Sequence, residues 1–411
     1  MMDDRPRNLR EMLAEAKDTS ELMVDLAYAS LFFGDPEMAE EVDSLEEEMS
    51  DLVQDMRAVC IMAVRNPKDS EGMSSVLQVI SAIERIANDA VDIARIVTHK
   101  LGIPAELVAD LSEAEEVSHR VLVAEESELA HRALSAHELP VQTGMRVMAV
   151  RRGRTWITDV DGDLVLVPDD VLFLRGSPHG IRRVRELAAA EPWPPPQILD
   201  DPFVTDLDRA VDVLIEMKNL SEVAVGLAYS ALVFNDQGLA AEVRHLEDRL
   251  DEMKDRLEIW VLRAASDKPD PSPLRGLLHL SQAAEDIGDQ AQAMVWLIEK
   301  HEDVHPILGL ALGDSDDVIV RFPIAANSRG DGATLADLRL AIEPGFTVLA
   351  IRRGGQYIYR PRGRALLLAE DELIASGPDE GRERLARLCG WNVVDPDGDG
   401  ELELEPVTRT Y

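Results

Sequence analysis

The chain has 411 residues, with 79 acidic residues against 42 lysines and arginines, and its formal net charge is −37 at pH 7. This length exceeds what one ordinary hydrophobic core can fill and predicts two to four domains. A surface this acidic repels nucleic acid by charge, so we expect no DNA or RNA partner.

Apolar runs are short throughout the sequence, which bears on its expected location. No run approaches the 18 residues of a membrane span, and the charged segment 1–13 lacks the apolar stretch of a signal peptide. Cys60 and Cys389 stand at no metal-ligand spacing, which predicts reduced thiols. We therefore expect a cytoplasmic protein without direct membrane insertion. The acidic excess fits a halophile, whose counterions screen the surface charge, and an acidic protein from a mesophile with a GC-rich genome is the alternative.

The first hundred residues carry the spacing of helices. Apolar residues recur every three or four positions in 76–97, and a similar stripe occupies 45–56. Loop sequences at 34–37 and 66–72 divide the segment into three parts. Three amphipathic helices joined by short loops predict an antiparallel bundle.

The next segment changes to the period of strands. We predict strands at 121–127, 146–153 and 164–176, with a helical turn or short helix around 129–139 between the first two. The Arg-Arg-Gly sequence at 151–153 is predicted to reverse the chain into the next strand. The result is a small α+β domain whose exposed sheet edges favour pairing with a second copy.

The whole pattern occurs twice, at a constant offset of 201 residues. The sequence LAYASLFFGDPEMAEEVDSLE at 26–46 aligns with LAYSALVFNDQGLAAEVRHLE at 227–247, and MRVMAVRRGRTWI at 145–157 aligns with FTVLAIRRGGQYI at 346–358. A fixed offset over most of the chain indicates tandem duplication. The predicted fold class is α+β, with two repeats of an antiparallel three-helix bundle and a small sheet domain. The expected divisions are helical bundles at 1–110 and 204–304, sheet domains at 111–190 and 305–390, a proline-rich linker at 191–203 and an acidic tail at 391–411.

Both halves of the repeat resemble known families. The sheet half resembles the C-terminal regulator-of-potassium-conductance (TrkA-C) domain, through a leucine, a glycine, a strand ending in Arg-Arg-Gly, an acidic pair and a second glycine. These are Leu139, Gly144, 147–153, Asp169, Asp170 and Gly176 in the first copy, and Leu340, Gly345, 348–354, Glu370, Asp371 and Gly377 in the second. The helical half is similar to the PhoU family of three-helix bundles, through ERIANDAVDIA at 84–94 and EDIGDQAQ at 285–292.

These resemblances imply regulation rather than catalysis. TrkA-C domains sense ligands for potassium and other cation channels and transporters, usually as dimers that bind small ligands such as nucleotides. The resemblance therefore implies a regulatory subunit that acts in trans on a membrane cation channel or transporter, most directly one for potassium, and that also forms homo-oligomers. PhoU proteins regulate phosphate transport, and some bind metal clusters, so the alternative is a phosphate regulator that binds divalent metal. The sequence shows no dinucleotide-binding glycine motif and gives no reason to expect an enzyme.

Arginines and apolar residues near the glycine turns are the candidate ligand site. Arginine pairs at strand ends can hold a phosphate or a partner's carboxylate, and solvated turn charges are the alternative. The candidates are Val141, Arg146, Arg151, Arg152, Ile342, Arg352 and Arg353. We expect a nucleotide-type ligand, or a monovalent or divalent cation. A cyclic dinucleotide is not favoured, because Gln142 and Glu343 stand where the related family members use basic contacts.

The PhoU resemblance implies a candidate metal motif, E-x-x-x-D, which places two carboxylates one helical turn apart on one face. The second copy has it as Glu285 and Asp289, whereas the first copy has Glu84 with the neutral Asn88. A solvated carboxylate pair is the alternative in a chain this acidic.

Overall fold

The computed structural model describes residues 8–104, 107, 117–191, 205–266, 270–300, 304–394 and 403–407. Residues 192–203 of the predicted linker and residues 395–402 and 408–411 of the predicted tail lie outside this part of the chain. Two compact units are present: a helical unit, Met1–Ala114 with Pro195–Ser315, and a sheet unit, Glu115–Pro194 with Asp316–Tyr411. Among the helices that are described, none is long and apolar enough to cross a membrane.

The elements of the two repeats follow one another in the same order. The first repeat contains α1 (Leu9–Phe33), α2 (Pro36–Ala63), α3 (Pro67–Thr98), β1 (Val117–Leu122), α4 (Leu139–Thr143), β2 (Met145–Arg152), β3 (Thr155–Ile157), β4 (Val171–Gly176) and α5 (Ile181–Leu187). The second contains α6 (Asp206–Phe234), α7 (Gln237–Ser266), α8 (Arg275–Glu299), α9 (Pro306–Leu312), β5 (Asp317–Pro323), α10 (Leu335–Leu338), β6 (Thr347–Arg353), β7 (Gln356–Tyr359), β8 (Glu372–Pro378), α11 (Arg382–Cys389), β9 (Trp391–Val394) and β10 (Glu403–Pro406). The predicted α+β class and its two alternating repeats are confirmed.

The loops between the first two helices of each bundle are built alike. Gly34 ends α1 in the left-handed region, and Asn235 does the same for α6. Each is followed by an aspartate that caps the next helix: Asp35 accepts hydrogen bonds from the first amides of α2, and Asp236 from those of α7. A left-handed residue followed by an aspartate cap is a strong stop-and-start signal for helices.

The two bundles pack on each other in the helical unit through reciprocal contacts of equivalent residues. Lys17 is buried on α1, with its Nζ 5.5 Å from the ring centre of Tyr229 on α6. The equivalent pair, Lys218 and Tyr28, has a distance of 5.1 Å. Because these residues correspond at the offset of 201, the duplicated sequence has produced a duplicated contact. The apolar stripe predicted at 76–97 is buried on α3, which packs against α8.

Each repeat also forms a four-stranded antiparallel sheet. The strand orders are β1-β4-β2-β3 and β5-β8-β6-β7. We call β1–β4 with α4 and α5 sheet module 1, and β5–β8 with α10 and α11 sheet module 2. The hairpin predicted at 151–153 is present, since β2 ends at Arg152 and β3 begins at Thr155.

Three predictions about the sheet half need correction. The strand predicted at 121–127 ends at Leu122. The helical turn predicted around 129–139 is present as a 3-10 turn at Leu134–Ala136, and α4 follows it at Leu139–Thr143. The strand predicted at 164–176 begins only at Val171, because Asp169 has a positive φ of 70° that interrupts the extended backbone. The segment predicted as an acidic tail contributes the paired strands β9 and β10, and the indole of Trp391 donates a hydrogen bond to the carbonyl of Pro323.

Candidate functional site

The two sheet modules meet at equivalent glycine turns. Gly144 follows α4 with a φ of 66°, and a Cβ atom there would overlap the carbonyl oxygen of Ala341. Gly345 has a φ of 89°, and a Cβ atom there would overlap the carbonyl oxygen of Pro140. The backbones of the two modules are therefore in direct contact at these turns, and only glycine permits so close an approach.

Ion pairs flank this contact, and they are not repeated between equivalent residues of the two modules. Arg146 on β2 donates to Asp316 at 2.9 Å and lies 2.7 Å from Asp317. On another side, Arg384 of α11 donates to Glu138 at 2.6 Å. The position equivalent to Arg146 is Thr347, so the second module has no arginine to repeat the first pair. The duplication has diverged at the edge of the contact while keeping its centre.

Two of the candidate arginines hold buried aspartates. Arg152 binds Asp170 through Nε at 2.9 Å and Nη2 at 2.8 Å, and Asp170 is fully buried. Arg353 binds Asp371 in the same way at 2.7 and 2.6 Å. Each arginine also donates to a backbone carbonyl, and each aspartate accepts from a backbone amide. Such bidentate pairs fix the strand ends.

The remaining candidate arginines also have partners within their own module. The guanidinium of Arg151 lies 5.8 Å from the ring centre of Trp156 and 6.0 Å from that of Phe173. Arg352 donates to Glu372 at 2.9 Å. All five candidate arginines therefore contact an acidic or aromatic side chain of the protein itself. Of the apolar candidates, Val141 is buried and Ile342 is half-buried beside the Gly144 turn.

The candidate metal residues lie on the helices of the two bundles. Glu84 on α3 binds Arg57 at 2.6 Å, and Glu285 on α8 lies 3.1 Å from the ammonium of Lys254. Asn88 lines a groove of about 410 Å³ in the first bundle, whose other lining residues are Asp43, Glu46, Glu47, Val91, Asp92 and Arg95. Within the described ranges, no group of three or more histidine, cysteine, aspartate or glutamate side chains is arranged to hold a metal ion.

Asp289 belongs to a cluster of acidic side chains in the second bundle, together with Glu247 and Asp251. Burial and the charges of Asp251 and Asp289 raise the pKa of Glu247 to about 7. Burial and the charge of Asp251 also raise the pKa of Asp289 itself. The sequence analysis did not identify Arg57 and Lys254 as partners of Glu84 and Glu285. Aligning the two copies would have shown that the second helix of each bundle carries a basic residue here, at positions one helical turn apart.

Comparison with domain families assigns both halves of the repeat. The PhoU domain model matches residues 13–97 and 214–296, and the TrkA-C domain model matches residues 119–189 and 319–390. The chain contains two PhoU domains and two TrkA-C domains. Sheet modules 1 and 2 are the TrkA-C domains, and the two bundles are the PhoU domains. The proposed resemblance is thus confirmed for both halves.

Solved structures of both kinds are similar to parts of the tandem PhoU–TrkA-C chain. PhoU from Pseudomonas aeruginosa is 14% identical with a TM-score of 0.38, and the match covers 71% of this chain and 93% of that one. The GsuK RCK domain is 14% identical with a TM-score of 0.18, covering 76% of this chain and 78% of that one. The search of curated proteins gives no significant match.

A buried histidine in the first TrkA-C domain predicts that this domain loses stability in acid. His119 on β1 is 4% exposed, and burial, with the charge of Arg185, lowers its pKa from 6.5 to about 4. Between pH 6.5 and about pH 4, His119 is therefore protonated in the unfolded chain and neutral in the folded chain. We expect stability to fall as the pH falls from 6.5 to 4, by up to about 3 kcal/mol from this residue.

The second TrkA-C domain supplies the matched substitution, because the position equivalent to His119 is the buried Val320. In His119→Val, urea unfolding at pH 7 and pH 5 should show a smaller loss of stability on acidification than in the wild type. The reverse variant Val320→His should show a larger loss. An unchanged pH dependence in both variants would contradict this assignment.

Proposed function

We propose that the chain regulates a membrane cation channel or transporter, with potassium as the expected cation, by sensing a ligand or ion at its paired TrkA-C domains. PhoU and TrkA-C domains together point to regulation linked to ion or phosphate transport. The observation that carries the finer proposal is the contact between the two TrkA-C domains at Gly144 and Gly345. The chain would act in trans from the cytoplasmic side, and the proposal assigns it no catalytic step.

Sensing requires a ligand to prefer one arrangement of the two TrkA-C domains over another. Because the backbones touch at the glycine turns, a ligand that enters the contact at these turns has to change the spacing of the two domains. That change of spacing would be the signal passed to the membrane partner. A ligand that binds equally well to both arrangements would transmit nothing.

Arg146 is the candidate arginine best suited to exchange its partner for a ligand. Its side chain is 37% exposed, and those of its partners Asp316 and Asp317 are 66% and 31% exposed, so breaking these ion pairs costs little free energy. Arg152 and Arg353, by contrast, would leave a buried aspartate unpaired if they turned to a ligand phosphate. We therefore propose Arg146 as the first contact of an anionic ligand.

Calorimetric titration with ATP, NAD, K⁺ and Mg²⁺ tests this proposal on the full chain. We expect saturable binding of one of them, and for an anionic ligand a weakening of about tenfold or more in Arg146→Gln. The control variant is Arg183→Gln, because Arg183 is an exposed arginine of the same domain that pairs with Glu186 on its own helix. It should bind as the wild type does. Absence of saturable binding for all four probes would contradict ligand sensing.

The second candidate function is regulation of phosphate transport, with a divalent metal at Glu285 and Asp289. The observation in its favour is that Glu247, Asp251 and these two carboxylates, on α7 and α8, interact electrostatically with one another. A metal at Glu285 would have to displace Lys254. Deleting the gene separates the two functions: altered K⁺ uptake with normal phosphate uptake supports the first, and the converse supports the second.

A further inference from the structure

Both PhoU domains place a basic side chain on the first carboxylate of the E-x-x-x-[D/N] motif. In the first domain, Arg57 contacts both carboxylate oxygens of Glu84, through Nη2 at 2.6 Å and Nη1 at 3.3 Å. In the second, the ammonium of Lys254 lies 3.1 Å from Glu285, and both side chains are mostly buried. In each copy, this carboxylate therefore forms an ion pair with a basic side chain.

The two cations come from different positions of the repeat. The residue equivalent to Arg57 is Glu258, and the residue equivalent to Lys254 is Val53. The two positions are four residues apart, one turn along the same helix face. The copies have therefore kept a positive charge at this place while changing the residue that supplies it. If these ion pairs had arisen by chance, there would be no reason for a cation to contact the same carboxylate in both copies.

Two carboxylates of the second bundle also accept hydrogen bonds from side-chain amides of the protein. The amide of Gln292 donates to Glu247 at 3.0 Å, and the amide of Gln282 donates to Glu285 at 2.8 Å. A metal ligand needs free lone pairs on its oxygens. These residues therefore do not fit a resident metal ion.

We infer that Arg57 and Lys254 are internal cations that replace the metal implied by the PhoU resemblance, so that both PhoU domains keep their structure without metal. The guanidinium and the ammonium offset the carboxylate charge between the second and third helices of each bundle. They do so at any metal concentration, which makes the helical unit a fixed scaffold rather than a metal sensor. This inference leaves the proposal of cation regulation unchanged, and it argues against the metal site of the phosphate alternative.

The test compares the thermal unfolding of the full chain with EDTA and with Mn²⁺. We expect the wild type to have the same Tm in both conditions, and Lys254→Met to have a lower Tm that Mn²⁺ raises. Loss of the ammonium uncovers carboxylates of the kind that bind hard divalent cations. Lys254→Arg keeps the positive charge, so its Tm should not respond to Mn²⁺. The Tm of Lys300→Met should not respond either, because this variant removes an exposed lysine that packs over the ring of Trp296.

Two results would overturn the inference. One is a wild-type Tm that EDTA lowers, with stoichiometric metal that Glu285→Gln abolishes. The other is a Lys254→Met variant whose Tm does not respond to Mn²⁺. If Lys254→Met is unfolded as purified, circular dichroism with and without Mn²⁺ tests the inference instead. The expected result is then a recovery of helix when Mn²⁺ is added. Arg57→Met provides the parallel test for Glu84 in the first domain.

Discussion

Replacing Gly144 by alanine is expected to disrupt the pairing of the two TrkA-C domains. The added Cβ atom would overlap the carbonyl oxygen of Ala341, and the backbone at position 144 has a φ of 66° that alanine adopts only with strain. Both the new Cβ atom and the carbonyl oxygen of Ala341 are held by the backbone, so one domain has to move to relieve the overlap. We expect a loss of about 2–5 kcal/mol in the free energy of unfolding, measured with urea and tryptophan fluorescence.

The matched control is Gly153→Ala, at the hairpin between β2 and β3. Gly153 has a nearly identical φ of 63°, but a Cβ atom there meets nothing within 4 Å. This variant therefore carries only the backbone cost of about 1–2 kcal/mol. Gly345→Ala and Gly354→Ala form the same comparison in the second domain, where Gly354 also has open space. Equal losses in Gly144→Ala and Gly153→Ala would show that the domains do not meet at this turn.

The same variant bears on the regulatory mechanism. If a ligand acts by changing the spacing of the two TrkA-C domains, a residue that separates them should mimic or block the ligand-bound state. Gly144→Ala should then change the apparent ligand affinity, whereas Gly153→Ala should not. A stability loss with unchanged ligand binding would place the ligand site away from the glycine turns.

The sequence predicts the repeat and the elements that have a clear period. The three helices of each bundle follow from their apolar stripes and from the loops at 34–37 and 66–72, because helix periodicity extends over many residues. The strand predicted at 164–176 fails because its interruption depends on the positive φ of Asp169 and on the carboxylate of Asp170. An apolar run that contains a turn of this kind has the same pattern as a longer strand.

The candidate sites were less predictable than the fold, because side-chain partners are distant in sequence. The arginine pairs stand out in an acidic chain, yet their spacing does not show which arginine faces a buried aspartate 18 residues away. The metal motif is visible as Glu285 and Asp289, but the ammonium on Glu285 comes from the preceding helix. Such contacts follow from the packing of helices and strands, which a single sequence specifies only through its apolar faces.

The second large effect is expected from Arg353→Met. Asp371 is 1% exposed, and its two oxygens accept from Arg353 and from the amide of Leu368. Removing the guanidinium leaves an aspartate charge buried with one remaining donor, which costs about 3 kcal/mol or more. Urea unfolding at pH 7 should show this loss. Arg152→Met should lose a similar amount, since Asp170 is equally buried.

The neighbouring Arg352 provides the control within the same strand. Its ion pair with Glu372 joins side chains that are 38% and 32% exposed, so Arg352→Met should cost about 1 kcal/mol or less. The double variant Arg353→Met, Asp371→Leu should recover most of the loss, because it removes the buried charge together with its partner. If Arg353→Met and Arg352→Met are equally stable, Arg353 does not fix the strand end, and it becomes available again as a ligand contact.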